Sequence, residues 1–258
     1  MTDFDGAGAV PQALRGFFRA HPRLALAFSG GADSAYLLYA ARACGCDVAA
    51  FCAQSAFQPA FERADAERLA AQLGAKLTFV PVDVLAAEGV RANPANRCYY
   101  CKRAIFSALL AAAREAGYDG IMDGTNASDD AGDRPGMAAL GELSVLSPLR
   151  ACGVTKEAVR AYSRRAGLFT WDKPAYACLA TRVPAGTPIT EALLRRVEGA
   201  ESALFEMGFS DFRVRLYGDA ARLQLPAGQM ERAVERREAI RGALKPWFDT
   251  VLLDLKER

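Results

Sequence analysis

The chain predicts a doubly wound parallel α/β sheet followed by a small α+β module, and three observations predict it. Short apolar segments alternate with helical patterns through the first two thirds of the sequence, as in parallel sheets whose strands are buried on both faces. The first strand-to-helix junction is a glycine turn, the usual position of a ligand loop in such folds. After Gly167 the alternation stops, and residues 190–258 read as α-β-β-α-β. The expected organisation is a main domain over 1–170, a linker or ordered loop over 171–189, and a small substrate-binding or oligomerisation domain over 190–258.

Taken in order, 23–28, 47–52, 77–82, 119–123 and 144–148 read as strands, with helical patterns at 34–44, 60–73, 102–116 and 155–166. Thr155 can cap the last of these. Pro174, Pro184, Gly186 and Pro188 punctuate the segment that follows. Thr190 can cap a helix running to about Met207. Strands near 211–216 and 221–225 flank Tyr217-Gly218-Asp219-Ala220 as a hairpin, and a charged helix, 228–243, precedes a final strand at 249–255.

Composition narrows the function classes. The 258 residues are 52% hydrophobic and 24% charged, so a sizeable core can form. No apolar run approaches a membrane span and residues 1–20 lack a signal-peptide pattern, which places the chain in the cytoplasm and away from membranes. The net charge of +2 argues against a large nucleic-acid footprint. The single histidine, His21, reads as a surface residue before the first strand, so imidazole chemistry is not expected.

The glycine turn is the most specific feature. Ser29-Gly30-Gly31-Ala32-Asp33-Ser34 follows an apolar strand and opens a helix. Backbone amides there can cradle a phosphate, Gly30 and Gly31 permit close approach, and Ser29 and Ser34 add hydroxyl donors. The Gly-Lys-Ser/Thr ending of the Walker loop is missing. The sequence instead matches Ser-Gly-Gly-x-Asp-Ser, the pyrophosphate loop of enzymes that split ATP into AMP and pyrophosphate. Asp33 is a candidate Mg²⁺ ligand, or else a cap for the helix. Gly124-Thr125-Asn126, after strand 119–123, falls at the sheet edge where ATP would lie. Asp129, Asp130, Asp133 and Arg134 read as a polar loop beside it.

Seven cysteines in such a chain favour reduced, metal-bound or catalytic roles. Cys98 and Cys101 lie three apart at the start of a helix, on one face. Arg97, Lys102, Arg103 and the helix N-terminus favour their thiolates. Cys178 is a distant third, with Arg182 and Lys173 able to lower its pKa. Structural zinc would need four Cys or His ligands, and a thioredoxin-like redox pair stays open, although a nucleotide-binding fold already accounts for the surrounding loop. A [4Fe–4S] cluster with one open iron makes the best use of a pair plus one thiol, against the plain reading of half-buried thiols. Cys44, Cys46, Cys52 and Cys152 read as packing residues. Arg213 and Arg215 alternate with Phe212, Val214 and Leu216, which puts both guanidiniums on one polar face, suited to a phosphate. Glu201, on the preceding helix, reads as an exposed carboxylate that could reach the same site.

Over nearly its whole length the chain resembles the LarE family of ATP-dependent sulfur-inserting enzymes, which help build the nickel-pincer nucleotide cofactor. The resemblance rests on Ser29–Ser34, Asn96–Lys102, Asp123–Asp130, Arg134-Pro135-Gly136, Ser147-Pro148-Leu149, Pro174–Arg182 and Arg213-Val214-Arg215. It implies adenylation of a carboxylate on pyridinium-3,5-biscarboxylic acid mononucleotide, a small-molecule substrate, followed by sulfur attack, in two rounds. In one branch of the family the sulfur comes from the cysteine matching Cys178, which ends as dehydroalanine. In the other, three cysteines hold a [4Fe–4S] cluster carrying sulfide, and Cys98, Cys101 and Cys178 place this chain there. ATP and Mg²⁺ are the other implied cofactors, Arg182, Arg213 and Arg215 the implied substrate ligands, and a homo-oligomer the implied assembly. The sulfide donor stays open. The rival readings are a cluster-dependent tRNA thiolase, which would need a basic RNA-binding face, and a non-catalytic nucleotide-binding iron–sulfur regulator.

Overall fold

The computed structural model describes residues 9–129 and 135–258. The contacts divide them into two units.

The first unit comprises the described residues up to Ser55, together with Ala60–Ala87 and Asn96–Lys173. Its strands are β1 (Arg23–Ala27), β2 (Asp47–Gln54), β3 (Leu77–Pro81) and β4 (Ile121–Met122), all parallel in the order β3-β2-β1-β4. Its helices are α1 (Gln12–Ala20), α2 (Ala32–Ala43), α3 (Ala60–Gln72), α4 (Arg97–Glu115), α5 (Pro135–Glu142), α6 (Pro148–Ala151) and α7 (Lys156–Arg165). The doubly wound expectation therefore holds, with the order reversing between β1 and β4. The fifth expected strand, 144–148, contracts to a single parallel bridge from Leu146 to Met122, because α5 and the turn at Ser144 (φ 53°) leave only one residue in register.

Burial explains why the centres of β1 and α2 are apolar. Leu24, Ala25 and Leu26 are buried in the sheet, and α2 buries every residue from Ala32 to Ala41 except Asp33. A helix covered all round sits in the core rather than on the surface. His21 is half-buried rather than exposed, because its ring stacks on Phe17, 4.3 Å between centroids, where it closes α1. Cys44 and Cys152 end α2 and α6, and Cys46 and Cys52 are buried in the core, as packing residues should be. Burial pushes the thiols of Cys44 and Cys152 up, and burial with the neighbouring Asp47 carboxylate pushes Cys46 to about 11.

The second unit gathers Ala56–Pro59, Glu88–Ala95 and Pro174–Arg258. Helix α8 (Glu191–Glu206) is capped by Thr190, whose hydroxyl accepts the Leu193 amide at 3.2 Å. Strands β5 (Arg213–Tyr217) and β6 (Ala220–Gln224) form the expected hairpin, with Gly218 at φ 58° in its turn, and β7 (Val251–Leu253) adds parallel to β6. The expected helix 228–243 is two helices, α9 (Ala227–Glu235) and α10 (Arg237–Leu244), broken at Arg236. The cause is tertiary, since Arg232 and Arg236 both donate to the Met207 carbonyl, one of the orphan acceptors at the end of α8.

Residues 174–189 are tied into the second unit. Asn93 Nδ2 donates to the carbonyls of Pro184 and Thr187 at 2.8 and 3.1 Å, and the Ile189 amide donates to Arg91 at 2.8 Å. The Leu179 amide donates to the Phe57 carbonyl at 3.0 Å, where a 3₁₀ turn (Leu179–Arg182) begins.

Candidate functional site

In the first unit the glycine loop leaves β1 at the carboxyl edge of the sheet, beside the point where strand order reverses. Gly30 adopts φ 71°, and a Cβ there would lie 3.1 Å from the backbone of α3, so both its conformation and its space demand glycine. Ser34 donates to the Gly31 carbonyl at 3.2 Å and its hydroxyl meets that of Ser29 at 3.2 Å. The segment after β4 presses against this loop: a Cβ on Gly124 would approach the Ser34 amide to 2.9 Å. The predicted residues Ser29–Ser34 and Gly124–Asn126 are thus brought together.

Asp123 anchors the second segment from inside. Its carboxylate accepts the Thr125 amide at 3.2 Å, the Thr125 hydroxyl at 2.5 Å and the Ser147 hydroxyl at 2.7 Å. Asn126 is buried; its side chain accepts the Ser128 amide at 2.9 Å and donates to Asp33 Oδ1 at 3.2 Å. Gly31, not Asp33, occupies the N-cap of α2, which removes the capping reading of Asp33. The Asp33 carboxylate faces across the site instead and forms an ion pair with Lys156 Nζ. The sequence reading missed Lys156, and no local signal marks it: its partner lies 123 residues away. Asp129 closes the turn by accepting the Asn126 amide at 3.1 Å, while Asp130, Asp133 and Arg134 lie outside the described residues. The Lys173 ammonium lies 2.6 Å from Asp65 and 3.5 Å from the Gly30 carbonyl, within the first unit.

Cys98 and Cys101 occupy the first turn of α4, exposed and half-buried respectively. Arg97 Nη2 lies 3.9 Å from Cys98 Sγ. Arg103 turns away to the Tyr99 hydroxyl at 3.2 Å, and the Lys102 stem lies under Gly136, where a Cβ would meet it at 2.7 Å. Cys178 belongs to the second unit, half-buried at the cap of the 3₁₀ turn. Three reduced cysteines, none of them a fully buried packing residue, match in donor type what an iron–sulfur cluster takes. Among the described residues no three Cys, His, Asp or Glu side chains stand together as a metal group.

The second unit holds a crowd of arginines around one carboxylate. Glu201 is 1% exposed, not the surface carboxylate expected. It accepts Arg182 Nε at 2.8 Å, Arg182 Nη2 at 3.0 Å and the Val214 amide at 2.9 Å, and it also binds the Tyr176 hydroxyl. Arg182, itself 1% exposed, donates further to the Ala177 carbonyl at 2.7 Å and the Thr181 hydroxyl at 2.9 Å. Its donors all end inside this unit, so it braces the Cys178 loop. The Tyr176 ring lies between two guanidiniums, 4.4 Å from Arg182 and 4.8 Å from Arg213.

Arg213 and Arg215 share a face, as period two requires, but that face is covered: Arg213 is only 4% exposed. Arg213 donates to the Ala175 carbonyl at 2.7 Å; Arg215 donates to Gln224 at 2.5 Å and to the Thr181 carbonyl. Burial, then repulsion from Arg182, depresses Arg213 to about 10 and lowers Arg215 as well. A buried excess of positive charge, short of carboxylates, is an environment that an anion relieves.

No family model matches the chain. It is similar to a pyridinium-3,5-bisthiocarboxylic acid mononucleotide synthase of Lactiplantibacillus plantarum, 34% identical over 210 residues, 81% of this chain and 76% of that protein. An uncharacterised protein of Synechocystis is 37% identical over 223 residues, 86% of this chain and 83% of its own. A second uncharacterised protein, from Methanocaldococcus jannaschii, is 26% identical over 184 residues, 71% and 72% of the two chains.

Proposed function

The chain belongs to the LarE family, that of the pyridinium-3,5-bisthiocarboxylic acid mononucleotide synthases, and from that premise we propose that it is an ATP-dependent sulfur transferase acting on pyridinium-3,5-biscarboxylic acid mononucleotide. The observation that carries this reading is the meeting of the Ser29–Ser34 loop with Gly124–Asn126 at the strand ends where the sheet order reverses. Ligands of doubly wound sheets bind at that place.

ATP lies with its phosphates along the loop, where backbone amides and the Ser29 and Ser34 hydroxyls take up charge as pyrophosphate leaves. A substrate carboxylate oxygen attacks the α-phosphorus, so the carboxylate acquires AMP as a leaving group. Sulfur then displaces AMP at the carbonyl carbon. Asp33 is the residue that would hold Mg²⁺, which spreads the developing phosphate charge. Arg213 and Arg215 bind the substrate's phosphate, and Arg182 with Glu201 fixes the loop that presents Cys178. Cys98, Cys101 and Cys178 would hold a [4Fe–4S] cluster, which would supply sulfide when bound. The protein works as a homo-oligomer in the cytoplasm. Among the described residues no helix is long and apolar enough to cross a membrane.

The test is mass spectrometry of one anaerobic reaction containing reconstituted protein, Mg-ATP, sulfide and the biscarboxylate mononucleotide. Exchange of oxygen for sulfur beyond one event per chain, with Cys178 intact, is the expected outcome. One event per chain with Cys178 converted to dehydroalanine would keep the reaction but move the sulfur source to the cysteine. No sulfur in the nucleotide despite a loaded cluster would overturn the reading in favour of tRNA thiolation.

A further inference from the structure

The strongest unassigned feature of the first unit is the ion pair between Lys156 and Asp33. Lys156 opens α7, where Thr155 caps the helix and the Lys156 amide donates to Ser128 at 3.0 Å. Its side chain is one third exposed and that of Asp33 about a quarter exposed. Asp33 Oδ1 also accepts Asn126 Nδ2 at 3.2 Å, so both carboxylate oxygens are engaged. Asp33 lies two residues past Gly31, in the first turn of the helix that backs the phosphate loop.

If Asp33 holds Mg²⁺, as proposed above, Lys156 must move. A carboxylate serving Mg²⁺ must offer an oxygen to the ion, and an ammonium in ion-pair contact occupies that oxygen and repels a divalent cation. The lysine, by contrast, has a flexible four-carbon stem and three donors, and it suits a phosphate as well as a carboxylate. Releasing it from Asp33 places a positive charge beside the loop just as a highly charged nucleotide arrives.

We propose that Lys156 is the resident counter-ion of Asp33, exchanged for Mg²⁺ when nucleotide binds, and that the released ammonium then contacts the nucleotide's phosphates. The proposal rests on the reading of the Ser29–Ser34 loop as an ATP site. It makes Lys156 a phosphate ligand of the adenylation step and keeps Asp33 from collecting metal in the absence of nucleotide. Lys173 is the natural comparison, because it touches the same loop at the Gly30 carbonyl but is paired with Asp65 on α3.

The experiment uses the full chain and two binding measurements, Mn²⁺ by loss of its free-ion paramagnetic resonance signal and ATP by calorimetry at saturating Mg²⁺. Lys156→Met should bind Mn²⁺ without nucleotide at least tenfold more tightly than wild type, because Asp33 has lost its counter-ion. At saturating Mg²⁺ the same variant should bind ATP about tenfold more weakly, and Lys156→Arg should restore ATP binding. Lys173→Met should leave nucleotide-free Mn²⁺ affinity unchanged. A lysine that merely held the fold would not produce a gain in metal affinity. If Lys156→Met fails to fold, Lys156→Gln carries the same two readouts. Unchanged Mn²⁺ affinity in the Lys156 variant, with wild type still binding Mn·ATP, overturns the inference alone. Absence of nucleotide binding in wild type overturns the ATP-site reading and the inference with it.

Discussion

Arg182 and Glu201 are opposite charges taken almost wholly out of water, held by two parallel hydrogen bonds at 2.8 and 3.0 Å. Such a pair contributes little against a well-packed apolar replacement, but breaking it by removing one charge leaves the other stranded. Glu201→Gln should therefore lower unfolding free energy by about 3 kcal/mol, measured by urea titration. Equal midpoints for variant and wild type would mean that Arg182 finds another partner. The position was legible in principle: Leu194, Val197, Glu201 and Leu204 share one helical face, and all four are buried. Reading Glu201 by its charge, rather than by its place in that stripe, sent it to the surface. Lys156 offers the opposite case, for nothing near it in sequence announces Asp33.

Elements built on local signals were the most legible. The apolar alternation marks β1 to β4, and Thr155 and Thr190 stand at the caps expected of them. The Thr155 hydroxyl accepts the Ala158 amide at 3.2 Å, one of the orphan donors of α7. Thr155→Ala should cost about 1 kcal/mol by thermal melting. Because Lys156 is the next residue, the variant should also weaken ATP binding, and Thr155→Ser should repair both. What the elements hide is tertiary. The charged run Glu231–Glu238 contains no glycine or proline, so it reads as one helix. The break at Arg236 comes from carbonyls at the end of α8 that arginines 232 and 236 satisfy. Likewise the strand at 144–148 has the right residues but only Leu146 finds a partner.

At the scale of the whole molecule, buried titratable groups should make stability depend on pH at the alkaline end. The Cys46 thiol has an ordinary value of 9.0 and about 11 in the fold, so between these the unfolded chain has lost its proton while the folded chain keeps it. Stability therefore falls as pH rises from 9 to 11. Tyr36, Tyr39, Cys44 and Cys152, all raised by burial, act in the same direction. Tyr176 in the second unit, raised by burial and then by Glu201, acts in the same direction, while the burial that lowers Arg213 and Arg215 works against it. Urea unfolding of wild type and Cys46→Ala at pH 8 and pH 11 separates the thiol's share. The variant should lose less stability over that range. Composition and pattern could foretell a large core and a small companion, but not these buried protons, which depend on residues far apart in sequence.

The second unit draws on three separate stretches, and the two shorter ones lie more than seventy residues before the rest. Phe57, Arg91 and Asn93 supply bonds that hold the segment leading to α8. Such a unit has no single seam at which heredity could cut it out and graft it elsewhere. A hybrid gene joining this chain's last third to a cousin's first two thirds must bring matching residues at 57, 91 and 93, or the transplanted part arrives without its fastenings. The same dependence orders events on the ribosome: those fastenings emerge early and wait for a partner that is made last.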